Sequence, residues 1–360
     1  IGCSATSHHL NTGAMGQSYN ASLSRLIGGV ISGGVTAPGG HVSERFGDAT
    51  ATYISQHAPG VPYLAYVSFT APHDPRTSPL AFSSLYRDAQ GVSTVSLPAD
   101  FSTTTPIHRS AFDGNIRDEV LLNGIGGHTP SNVMEELADY YGMITHMDAQ
   151  IGSVIDEALR AEGLDPAVHG IEDLTNTLIV FTSDHGLAIG SHGLMGKQNP
   201  FEHSIRAAPM TFAGAVNGIP IPHGASDALV YLSDLFPTLT ALTGLSTPSS
   251  VDGESLAGIV FGTQTSVRSS IYNAYRGLSR AVRLDHWKLM YYPGLHRVQL
   301  FDLASDPHEV SDLSADTGQW ARIEALGGEM RQLESQLNAP GIGSIPDEFF
   351  GGLEIVWDAP

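Results

Sequence analysis

Leu178-Ile179-Val180-Phe181-Thr182-Ser183-Asp184-His185-Gly186 is the stretch from which the rest of the chain is read. Residues 178–182 are apolar or β-branched without alternation, the pattern of a short strand covered on both faces by helices. Polar residues follow with no spacer. In open α/β sheets, ligands bind beyond the carboxyl ends of the strands, so Asp184 and His185 become the first candidates for chemistry. Together they can offer one oxygen and one nitrogen to a divalent cation. The bland alternative is that Asp184 caps a turn and His185 is a satisfied, half-buried histidine.

Working outward, Val61-Pro62-Tyr63-Leu64-Ala65-Tyr66-Val67-Ser68-Phe69 reads as a second buried strand, ending at Pro72-His73-Asp74-Pro75. A short helix over 44–56 precedes it. Between the two strands, Leu137, Tyr141, Ile144, Ile151, Ile155 and Leu159 recur mostly at three- and four-residue steps, which predicts a long amphipathic helix over 132–161. Pro209–Phe212 reads as a third strand, and Ser233–Pro237 opens another helix. Alternating helices and apolar strands predict an α/β sandwich with a mainly parallel central sheet flanked by helices. Residues 1 to about 42 read as loop, and 76–131 as a surface excursion. After residue 265 the texture changes to short strands at 280–283, 287–292 and 298–303 and a helix near 319–337. The expected organisation is therefore an α/β domain over 1–264 and a C-terminal α+β subdomain with antiparallel strands and a helix over 265–360.

The 360 residues can bury a large core, and 41% hydrophobic with 15% charged residues describes a globular chain. Seventeen basic against 37 acidic residues give a formal charge of -20, which argues against nucleic acid or an anionic membrane as partner. No apolar run reaches the length of a membrane span. Cys3 is the sole cysteine, so there is no internal disulfide. Lys197 and Lys288 are the only lysines, which makes the position of each informative. Lys197 lies in the glycine-punctuated loop Gly190–Asn199, where a point cation suits a sulfate- or phosphate-like group; the alternative is a solvent lysine.

At this point a resemblance becomes specific. Ser183-Asp184-His185-Gly186-Leu187, His192-Gly193-Leu194-Met195-Gly196-Lys197-Gln198-Asn199 and His203-Ser204-Ile205-Arg206 resemble the signature region of type I, formylglycine-dependent sulfatases of the alkaline phosphatase superfamily. Ser68–Pro75, Asp139–Gly152, Leu235–Leu239, and Leu300–Leu303 with Asp306-Pro307 agree in the family's order. The resemblance spans roughly residues 40 to 335 and implies an alkaline-phosphatase-like fold. It implies a sulfuric ester hydrolase acting on sulfated carbohydrate or aryl sulfate. Asp184 and His185 match metal ligands, most often for Ca²⁺, with Mg²⁺ or Mn²⁺ as alternatives. Lys197 matches the lysine that binds sulfate and steadies the leaving oxygen. His73 matches the histidine that protonates the departing alcohol. His192 is a weaker match to a substrate contact, while Arg206 and Asp148 read as scaffold. The resemblance also implies a secreted or periplasmic protein, although no signal-peptide pattern opens the sequence; oligomeric state is not legible.

The pattern departs at its start. The family's Asp-Asp strand and its C-x-P-x-R or C-x-A-x-R motif, the source of formylglycine, have no full counterpart. Cys3-Ser4-Ala5-Thr6-Ser7 places Ser7 where the arginine belongs. A second alignment sets Ser7-His8-His9-Leu10-Asn11 against the family's G-K-W-H segment. It makes His9 the histidine that removes a proton from formylglycine, and it leaves about a hundred residues expected upstream. Three readings stay open: part of a longer sulfatase, a catalytic segment supplied by another polypeptide, or a short form that binds without turnover. A phosphonate or phosphate monoester hydrolase of the same superfamily is the enzymatic alternative.

Overall fold

The computed structural model describes residues 41–58, 60–102 and 129–337, together with the backbone of three strands before them. Those strands, β1 (Gly2–Cys3), β2 (Ser22–Ile27) and β3 (Val30–Thr36), form an antiparallel sheet in the order β1-β2-β3. The expectation of loop over 1–42 is corrected there. Glycine- and serine-rich composition suppresses a periodicity signal, but backbone pairing does not depend on it. His9 lies outside the described residues.

The chain folds as two units, one of residues 1–96, 130–178 and 213–220, the other of 97–129, 179–212 and 221–360. In the first, α1 (Val42–Ser55) begins at a reciprocal cap: the Ser43 N–H donates to His41 Nδ1 at 3.4 Å, and the His41 N–H donates to Glu44 Oε2 at 3.0 Å. Residues 61–69 carry no strand ladder among the described residues. Their exposure alternates. Val61, Leu64 and Tyr66 are exposed, while Val67 and Phe69 pack on Val42 and Phe46 of α1. The run is thus buried on one face rather than two.

The supposed surface excursion contains α2 (Leu80–Ser83) and a 3-10 turn at Ser84–Tyr86. The long helix is α3 (Pro130–Ala161), as its periodicity predicts. At Gly142 a Cβ would stand 3.0 Å from the Ser83 Cα and 2.7 Å from Ser78 Oγ, so α2 crosses α3 where the side chain is absent. β4 (Leu178–Phe181) neighbours β5 (Thr211–Val216), which pairs antiparallel with β6 (Ile219–Pro220). Asn217 and Gly218, both left-handed, make the tight Asn-Gly turn of that hairpin.

The second unit contains α4 (Glu202–Ile205), α5 (Leu235–Thr243) and α6 (Ala257–Val260). Its sheet comprises β7 (Ser270–Tyr275), β8 (Ser279–Leu284), β9 (Trp287–Tyr292) and β10 (Arg297–Asp302), all antiparallel. Alternate residues serve two layers. Val282, Leu289, Tyr291 and Leu300 meet Ile323, Leu326 and Met330 of α7 (Trp320–Gln336). Ala281, Met290, Tyr292 and Phe301 point the other way and receive Ala188, Leu194 and Phe201. The loop carrying Lys197 therefore rests on a fully buried platform.

Candidate active site

Beyond β4 the backbone is pinned before it reaches the chemistry. Ser183 Oγ accepts from the Ala208 N–H at 2.7 Å and donates to the His185 carbonyl at 3.1 Å; the Gly186 N–H donates to the Ser204 carbonyl at 2.9 Å. A Cβ on Gly186 would lie 2.1 Å from the His203 carbonyl oxygen. The glycine of Ser-Asp-His-Gly is thus dictated by the close approach of α4.

Asp184 is 81% exposed at its side chain, and its Oδ1 accepts the His185 N–H at 2.9 Å. The His185 Nδ1 lies 2.9 Å from the Gly186 carbonyl, an acceptor only, so Nδ1 donates there and Nε2 is the nitrogen turned to Asp184. That Nε2 stands 3.3 Å from Asp184 Oδ2. An oxygen and a nitrogen donor so spaced fit two neighbouring positions around one divalent cation, and these two residues would hold it.

The Lys197 loop is closed on itself by Ala188 N–H to Gly196 carbonyl at 2.9 Å and Gly190 N–H to Leu194 carbonyl at 2.6 Å. Ile189 (φ 40°) and His192 (φ 52°) adopt left-handed backbone, unusual for a β-branched residue in particular. Lys197 is half-buried. The His192 ring stacks on Phe201 at 3.9 Å, and its Nε2 lies 3.0 Å from the Glu309 carbonyl.

Lys288, the other lysine, is fully buried between Glu309 Oε1 at 2.7 Å and Glu202 Oε1 at 3.0 Å. Burial raises the Glu309 carboxyl despite the ammonium beside it. Glu202 is also pushed up by burial, but Lys288 and then Arg283 and Arg206 more than offset this and hold it low.

In the first unit, His73 Nδ1 lies 3.0 Å from the Asp74 carbonyl. Buried Arg76 ties this turn down, contacting Asp74 Oδ1 at 2.9 Å and Glu136 Oε2 at 2.7 Å.

Sequence reasoning assigns no role to Arg76, Asp100, His203 or Glu309. Arg76 has a local signal, a basic residue two places after Asp74, and His203 sits within a recognised motif. Asp100 has none. A pocket of about 530 Å³ is lined by Asp100, Glu202, His203, Arg206, His308 and Glu309 among others; Asp184, His185 and Lys197 do not line it.

Residues 11–245 match the family described as Sulfatase, and 190–336 match N-sulphoglucosamine sulphohydrolase, C-terminal. A choline-sulfatase of Rhizobium meliloti (strain 1021) is 31% identical over 264 residues, 70% of this chain and 46% of that protein. An arylsulfatase of Clostridium perfringens (strain 13 / Type A) is 27% identical over 282 residues, 76% and 54% respectively. The chain spans about half the length of these curated relatives. Among solved structures, one in complex with its substrate D-glucosamine-2-N,6-O-disulfate superposes with a TM-score of 0.63 at 15% identity, covering 90% of this chain and 74% of that one. The phosphonate monoester hydrolase of Agrobacterium radiobacter gives 0.57 at 23% identity, covering 81% and 60%. These likenesses show an alkaline-phosphatase-like fold.

Proposed function

The chain belongs to the sulfatase family, and from that premise we propose that it is a sulfuric ester hydrolase whose substrates are sulfate esters of carbohydrates or aryl alcohols. The observation that carries this reading is the end of β4, where Asp184 Oδ2 and His185 Nε2 stand 3.3 Å apart on a pinned backbone. The relatives named choline-sulfatase and arylsulfatase, and the neighbour with its sulfated glucosamine, support a sulfate ester as substrate. Ca²⁺ is the cation proposed for Asp184 and His185, and when bound it supplies charge compensation at a sulfate oxygen. Formylglycine is the family's nucleophile; the Cys3 side chain and His9 lie outside the described residues. Export to the periplasm or beyond belongs to the same proposal.

The chain's own residues then divide the work. Lys197 brings a compact ammonium on a loop closed by its own backbone hydrogen bonds, and its charge serves a sulfate oxygen. His73, with Nδ1 against the Asp74 carbonyl, gives a proton to the departing alcohol oxygen. The Arg76 ion pairs hold that ring's backbone in place.

Turnover of matched aryl sulfate and aryl phosphate esters by the purified protein tests the reading. The sulfate should be preferred, and Lys197→Ala should lower kcat on the order of 10²-fold. Preference for the phosphate or phosphonate ester would favour the hydrolase alternative, to which the Agrobacterium neighbour lends its fold. An unchanged kcat in Lys197→Ala would remove that residue from the mechanism.

A further inference from the structure

Behind the Lys197 loop, three side chains from separate segments converge. His192 Nδ1 lies 3.4 Å from His203 Nδ1 and 3.4 Å from Asp100 Oδ2, and donor atoms of the three residues all fall within 4.8 Å of one another. Asp100 is 7% and His192 11% exposed at the side chain. A hydrogen bond between ring nitrogens is about 2.9–3.0 Å long, so 3.4 Å is a loose one. By contrast, bonds of about 2.0–2.1 Å to a tetrahedral ion set its ligand atoms roughly 3.3–3.4 Å apart.

The tautomer agrees. His192 Nε2 sits 3.0 Å from the Glu309 carbonyl, which only accepts, so the neutral tautomer with its proton on Nε2 would turn the Nδ1 lone pair to an ion in the cluster. A ligating histidine held through its other nitrogen by a carbonyl is the usual outer-shell arrangement of metal sites. Both ends of that hydrogen bond are in left-handed backbone, His192 at φ 52° and Glu309 at φ 54°. Such conformations persist where the surroundings over-determine them.

We propose that Asp100, His192 and His203 form a site for a divalent transition ion of the zinc type, distinct in its ligands from Asp184 and His185. Two imidazoles and one carboxylate, a donor set with nitrogen in the majority, suit such an ion. The pocket lined by Asp100 and His203 gives it a way in from solvent, and the chain's charge of -20 attracts cations. Bound there, the ion fastens residues 98–101 and α4 to the loop that carries Lys197. The Asp100 carbonyl already accepts the His192 N–H at 2.9 Å along the same seam.

The test uses the 360-residue chain stripped with chelator, in an Asp184→Asn/His185→Gln background that removes the other donor pair. Zinc titration should show one equivalent bound with a rise in Tm, and cobalt(II) should give the visible absorption of a four-coordinate site with nitrogen ligands. His203→Gln and Asp100→Asn should each weaken zinc by about 100-fold or more. A background protein that binds no zinc overturns the proposal, as does unchanged affinity in folded His203→Gln or Asp100→Asn. If both substitutions prevent folding, X-ray absorption on the zinc-loaded background protein decides: two imidazoles and a carboxylate support the site, and any other ligand set rejects it.

Discussion

Lys288 has no exposed surface at its side chain, and Glu309 beside it has almost none. Removing only the lysine would leave Glu202 and Glu309 facing each other across a dry gap. Breaking such a buried pair from one side costs about 3–5 kcal/mol. Lys288→Met should therefore lower the urea midpoint sharply, and Lys288→Met with Glu309→Gln should recover part of the loss. Equal destabilisation in the single and double variants would mean the charge is not the cause. His146 behaves differently. It is 1% exposed, 3.3 Å from Glu44 Oε1, with His41 and Phe82 against its ring. Burial lowers its pKa from 6.5, His41 lowers it further, and Glu44 opposes both. Just below pH 6.5 the unfolded chain therefore binds more protons than the folded one, so stability is full above about 6.5 and falls as pH drops toward the lowered value. His146→Phe should flatten the fall in Tm between about pH 7.5 and 5; an unchanged slope would assign it to other groups.

Among elements, Gly186 under α4 carries a tight constraint at the candidate site. An added methyl must displace the His203 carbonyl or the strand end, an overpacking that costs about 1–3 kcal/mol or more. Gly186→Ala should thus lower both Tm and activity, and a variant of wild-type activity and Tm would show that the approach relaxes freely. The same position shows what the sequence can and cannot reveal. The Ser-Asp-His-Gly motif, the Lys197 loop and α3 are legible because each is local: an apolar run, a glycine-spaced loop, a 3.6-residue period. Asp100 meets His192 only after the intervening chain has folded, and nothing near Asp100 in sequence announces it. The strands at 22–27 and 30–36 are hard to read because the glycine- and serine-rich sequence around them breaks any sustained period. The 61–69 run reads as extended, but its one-sided burial depends on α1 packing against it, which local composition does not encode.

At the scale of the molecule, 37 acidic against 17 basic residues set a field that opposes an anionic substrate before any local contact forms. On the proposed function, Lys197 and a cation at Asp184 and His185 would act at short range inside that field. The two ranges respond differently to salt. Raising ionic strength from about 0.01 to 0.15 M shortens the Debye length from about 30 to 8 Å, which screens the long-range repulsion and leaves hydrogen-bond-distance contacts largely intact. For a multiply sulfated saccharide, kcat/KM should therefore rise over that interval, chiefly through KM. A zwitterionic sulfate ester bearing a quaternary ammonium has no net charge for the field to repel, so its kcat/KM should stay nearly flat. Parallel responses from the two substrates would show that the acidic excess is remote from the approach path. A fall in kcat/KM for the polysulfated one would show that a positive local field extends well beyond the short-range contacts of Lys197.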